Sequence, residues 1–317
     1  MICYNECVCK TEGACPFCKE AFDLKNPVLK KTFTLAAVLT AITVAVRLVL
    51  QFALIDHDTG FYMATGAGRA AQLAFNLLLV VSAVLIWLSM RRTGGQFADE
   101  RKSFNREFFI ALMVMGISAE LSYLSPFLIE FRSLFSGHGV YLPSFLPAVI
   151  FVIGGVLLLY QGLLGFSGKE EDIDLGSAAI LSLWGAAALV CTYLSHTIVY
   201  HVSDNMLHVL AVAALAFFLT NLLKYMMGTA CAQSGRRAVL YALLTAYFGA
   251  TLVIPRLASM PFHGGNEVLG APRFYPMLFV LVCAATAVIA AWCIAFGETK
   301  TAEAPEQPED EAQSTEE

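Results

Sequence analysis

The sequence predicts an all-α protein, a polytopic integral membrane bundle of about eight transmembrane helices. Three observations carry that reading. Apolar residues fill 58% of 317 positions and charged residues 14%, with a mean hydropathy of +0.67, outside the range of soluble globular domains. The apolar residues are gathered into eight runs, each close to the ~20 helical residues that cross a hydrocarbon core of about 30 Å. The cations between those runs fall on alternate connections.

The chain opens with a largely polar, cysteine-rich segment, residues 1–32, that ends near Lys30 and Lys31. Phe33 to Ile55 is longer than the roughly 7–15 apolar residues of a signal-peptide core, so it is expected as an uncleaved first span. The next seven spans are expected at Ala70 to Met90, Phe108 to Ile129, Ser144 to Phe166, Ala178 to Tyr200, Met206 to Met227, Ala238 to Ser259 and Phe274 to Phe296. Lipid offers backbone groups no hydrogen bonds, so each run must satisfy its own N–H and C=O groups as a helix. The three domains expected are therefore 1–32, a membrane domain over 33–296, and a tail over 297–317. That tail carries eight carboxylates and one lysine without an aromatic residue, a composition that cannot bury enough surface to order itself. It also accounts for the acidic balance: of the net −5, −7 lies in the tail and +2 in the rest. No nucleic-acid partner is implied.

Placing the N-terminus in the cytosol puts fifteen cations on the cytosolic side, counting Lys224 as reaching inward, and leaves Arg69, Arg132, Arg256 and Arg273 on the outer side. The expected location is the cell (plasma) membrane, with both termini cytosolic. Three prolines recur 129 residues apart, Pro126 with Pro255, Pro143 with Pro272 and Pro147 with Pro276. This spacing predicts a parallel four-plus-four repeat, since four spans restore the starting orientation.

Functional residues are sought where polarity is expensive. Arg47, Glu120 and Asn76 fall near the middle of the first, third and second spans, and a charge at that depth costs ~3 kcal/mol or more unless it faces the bundle interior and finds a partner. An Arg47–Glu120 pair with Asn76 beside it is expected, either as a site for a small solute or ion or as an ion pair that fixes helix register. All six histidines lie in or beside the outer connections. The tightest group is His201, Asp204 and His208, where i and i+4 spacing sets Asp204 and His208 on one helical face and gives a two-histidine, one-carboxylate candidate metal site. An axial haem ligand such as His196 is the more distant form of the same idea. On the cytosolic side, Cys15 and Cys18 form a C-x-x-C knuckle and Cys7 with Cys9 can supply two further thiolates for tetrahedral zinc.

The motif sets of intramembrane proteases, P-type pumps and major-facilitator carriers are missing, and no catalytic residue is assigned. Three functions stay open. The first is handling of a small solute or ion through an outward-opening polar pocket. The second is a membrane-embedded metal- or haem-dependent enzyme at the outer face. The third is a sensor or scaffold that meets partners through the cysteine knuckle and the acidic tail.

Overall fold

The structure is a computed structural model, and it describes residues 27–55, 62–63, 65–93, 97, 104–136, 142–168, 175–196, 203–259 and 274–297. Among these residues eight helices follow in order: α1 Pro27–Ala53, α2 Gly66–Arg91, α3 Arg106–Phe135, α4 Leu142–Phe166, α5 Leu175–His196, α6 Ser203–Met226, α7 Cys231–Ser259 and α8 Phe274–Phe296. The helical membrane bundle expected from hydropathy is the fold observed. Seven of the helices are long and apolar enough, over their described residues, to cross a membrane, while α5 shows a shorter apolar stretch at Ser182–Tyr193. Three helices overrun their apolar windows by at least six residues. α1 starts six residues earlier, α3 runs on past Ile129 to Phe135, and α7 starts at Cys231. The added turns carry Lys30, Lys31, Arg132, Arg236 and Arg237, polar turns that hydropathy windows cannot register.

Burial shows which helices form the centre. α6, α7 and α8 are mostly buried, whereas α1 and α2 turn most of their surface outward. α7 packs against α6, α8, α1 and α2, and α3 packs on α4 and α8. The exposed faces are apolar, including Val38, Ile42, Val49 and Phe52 on α1 and Leu73, Leu77, Val80 and Val84 on α2. For a soluble protein so much exposed apolar surface signals aggregation; for helices facing acyl chains it is the solvated face.

Small residues and aromatic rings set the inner contacts. A Cβ on Gly116 would stand 2.7 Å from the Gly155 carbonyl oxygen, so α3 and α4 approach at backbone distance, the small-residue geometry common between membrane helices. Farther along, Tyr123 of α3 stacks on Phe151 of α4 at 4.1 Å, and Phe151 meets Trp184 of α5 and Phe279 of α8 edge-on at 5.6 and 5.5 Å. One aromatic cluster thus ties four helices together. The α6–α7 connection is a Schellman turn: Thr229 N–H bonds Lys224 O, Gly228 N–H bonds Tyr225 O, and Gly228 takes the left-handed conformation at φ 71° that glycine adopts without steric cost.

The proline correspondence survives as placement, with Pro126 inside α3 and Pro255 inside α7. Packing is not repeated between the halves. α6 and α7 are close neighbours, whereas α2 and α3 have at most marginal contact among the described residues.

Candidate functional site

The second half of α1 is polar on the side that faces protein. Thr43, Arg47 and Gln51 succeed one another at i, i+4 and i+8, and all three are buried, with Arg47 at 1% exposure the largest fully buried side chain in the molecule's described part. Successive fourth residues share one helical face, so they form a stripe. This stripe lies toward α2 and α7, the two helices on which α1 packs. Thr43 Oγ1 is 3.2 Å from the Tyr247 hydroxyl of α7, itself fully buried, and Thr32 Oγ1 is 2.7 Å from Ser89 Oγ of α2 at the other end of the helix. Ser82 of α2 is buried on the inner face of its own helix, with Phe75, Leu79 and Ile86. The result is a polar seam along α1, enclosed by helices that are otherwise apolar.

Among the described residues, Tyr62 and Phe75 both hold Arg47. Its Nη1 donates to the Tyr62 hydroxyl at 2.8 Å, and the guanidinium lies 5.1 Å from the Phe75 ring of α2 and 5.7 Å from the Tyr62 ring. The chain reaches Tyr62 by folding back on the end of α1: Ile55 and Tyr62 form an antiparallel bridge, and Met63 N–H bonds Leu54 O at 2.9 Å. Thr65 then caps α2 by accepting from Gly68 N–H. The Ile55–Tyr62 bridge thus sets a phenol over a buried cation, where aromatic faces and a charged hydrogen bond replace part of its lost hydration.

Glu120 sits elsewhere. It belongs to α3, faces the Gly155–Val156 backbone of α4, and its Oε1 is buried with no hydrogen-bond partner among the described residues. Among the described residues no ion pair joins it to Arg47, because α1 lies on α2 and α7 while α3 lies on α4 and α8. Asn76 is half-buried on α2, directly after Phe75. The expected trio therefore divides: Arg47 and Asn76 belong to the α1–α2 side, and Glu120 to the α3–α4 side.

Of the outer histidine group, His208 is buried at 7% exposure in the second turn of α6. His201 and the side chain of Asp204 lie outside the described residues, as do Cys7, Cys9, Cys15, Cys18 and the acidic tail. Among the described residues no three histidine, cysteine or carboxylate groups gather as metal ligands.

Four polar residues that bear on the site were not singled out from the sequence. Gln51, Thr43 and Tyr247 belong to the seam, and Asn205, one turn before His208, is 5% exposed with neither amide atom hydrogen-bonded among the described residues. The spacing 43, 47, 51 was a signal available in the sequence. Nothing comparable marks Asn205, whose burial comes from how α6 packs.

No family model, no curated protein and no solved structure matches the chain.

Proposed function

We propose that the protein handles a small polar or ionic solute in the seam between α1, α2 and α7, with Arg47 as the charged group of the site. One observation carries the reading: α1 turns Thr43, Arg47 and Gln51 inward while Val49 and Phe52 face out. A helix whose only task was to anchor the chain needs no such stripe, and a buried ionisable residue within a span is by default a functional position. Arginine suits an anionic or carbonyl-bearing solute, since its planar fork gives paired donors. The charge asymmetry of the connections favours cytosolic termini, which places Arg47 and Tyr62 toward the outer end.

The test is thermal unfolding of the purified chain in detergent against a panel of small carboxylates, inorganic anions and neutral amides, repeated with Arg47→Gln. The reading predicts a solute-dependent rise in midpoint that Arg47→Gln removes. A rise of equal size in wild type and variant would contradict it.

A further inference from the structure

The polar seam along α1 changes character along its length. Arg47 holds one level of it, its guanidinium resting on the Phe75 ring of α2 at 5.1 Å. Thr43 lies one turn earlier on α1, ~6 Å along the axis, where its Oγ1 meets the Tyr247 hydroxyl of α7 at 3.2 Å. α2 runs antiparallel to α1, with Ser89 beside Thr32 and Phe75 beside Arg47, so passing from Phe75 to Ser82 moves ~10 Å along α2 in that same direction. Leu79 is buried between them on the same face of α2. A short apolar wall therefore separates a guanidinium from a cluster of hydroxyls.

Ser82 is the unusual member of that cluster. A hydroxyl inside a helix can donate back to the carbonyl one turn earlier, as Thr43, Ser122, Thr251 and Thr286 do. Ser82 does not: it is 1% exposed, its Oγ is turned toward the Tyr247 hydroxyl, and it completes no hydrogen bond among the described residues. A buried hydroxyl left unpaired costs free energy that a partner entering the seam recovers. The Thr43 proton is committed to Leu39 O, so Tyr247 donates to Thr43 and keeps a lone pair with which to accept. Unmet capacity is thus a donor and acceptor at Ser82 and an acceptor at Tyr247, which another hydroxyl satisfies. A metal cation would meet the repulsion of Arg47 one turn away, and a second carboxylate would be buried beside hydroxyls alone. We propose that the solute of the seam is a monocarboxylate with a neutral hydroxyl at the far end of a short aliphatic chain. Arg47 takes the carboxylate, Phe75 and Leu79 line the chain, and Ser82 and Tyr247 take the hydroxyl. The inference rests on the seam being the solute site, and it makes Ser82 and Tyr247 the residues that set specificity there.

The experiment uses the full chain in detergent. Its unfolding midpoint is titrated with ω-hydroxyhexanoate, hexanoate and adipate, for wild type, Ser82→Ala, Tyr247→Phe, Arg47→Gln and Ser118→Ala. The last variant removes a buried hydroxyl of α3, away from the seam, that bonds Met115 O. The proposal expects wild type to bind ω-hydroxyhexanoate roughly fivefold more tightly than hexanoate, the worth of one added neutral hydrogen bond, and adipate more weakly than either. Ser82→Ala and Tyr247→Phe bring ω-hydroxyhexanoate and hexanoate to parity, Arg47→Gln weakens both alike, and Ser118→Ala keeps the preference. Equal binding of the two acids to wild type, with both weakened by Arg47→Gln, overturns the proposal and leaves the seam reading standing. A preference that survives Ser82→Ala, or adipate bound as tightly as ω-hydroxyhexanoate, also overturns it. If no acid shifts the wild-type midpoint, the seam reading falls and this assignment falls with it.

Discussion

At the scale of single residues, Arg47 is the one lysine or arginine buried among the described residues. The guanidinium of Arg47 is out of water, so its environment must supply what water gave. Tyr62 supplies a hydroxyl acceptor at 2.8 Å, and Phe75 and Tyr62 supply ring faces. Tyr62→Phe deletes the hydrogen bond and keeps the ring. It is expected to lower stability by about 1.5–3 kcal/mol, the usual worth of a hydrogen bond to a charged group, read as a fall in the unfolding midpoint in detergent. An unchanged midpoint would mean that the phenol does not hold the guanidinium. Arg47 was legible in the sequence as a charge inside an apolar run, because hydropathy alone exposes such a residue. Its partner was not, since the expected Arg47–Glu120 pair rested on similar depth in two spans and depth says nothing about which helices are neighbours.

At the scale of helices, the close approach of α3 and α4 decides where Glu120 goes. A methyl on Gly116 would meet the Gly155 carbonyl oxygen at 2.7 Å, and that oxygen is backbone that cannot turn aside. A methyl on Gly155 would come nearest the Glu120 Oε1, the mobile end of a flexible side chain, at 2.5 Å, with the Gly116 oxygen at 3.1 Å. Gly116→Ala must therefore separate the helices and is expected to cost about 1–3 kcal/mol, as overpacked cores do, while Gly155→Ala chiefly moves the carboxyl and costs less. Equal losses of midpoint in the two variants would show that the backbone contact is not what holds the pair. Helix existence could be read from apolar runs almost throughout; helix ends could not, because the polar turns at Lys30, Arg132 and Arg236 continue backbone hydrogen bonding beyond the apolar stretch. The prolines suggested two equivalent halves. Prolines report local backbone tolerance, however, and the partners of α7 are set by side chains on four other helices.

At the scale of the whole molecule, α6, α7 and α8 form a densely buried centre, with α1 and α2 on one flank and α3 to α5 on the other. The polar seam and the Glu120 carboxyl lie on those opposite flanks and do not meet. The seam account depends on water reaching the buried stripe of α1 when a solute enters it, while the opposite face stays in lipid. Single cysteines at Gln51 and Val49, placed in a chain whose own cysteines are replaced and reconstituted in vesicles, distinguish the two by reaction with a small water-borne methanethiosulfonate, because the attacking thiolate forms only where water reaches it. The account predicts that Gln51→Cys reacts and Val49→Cys does not. Equal reactivity at both positions, or reaction at Val49→Cys alone, would contradict it.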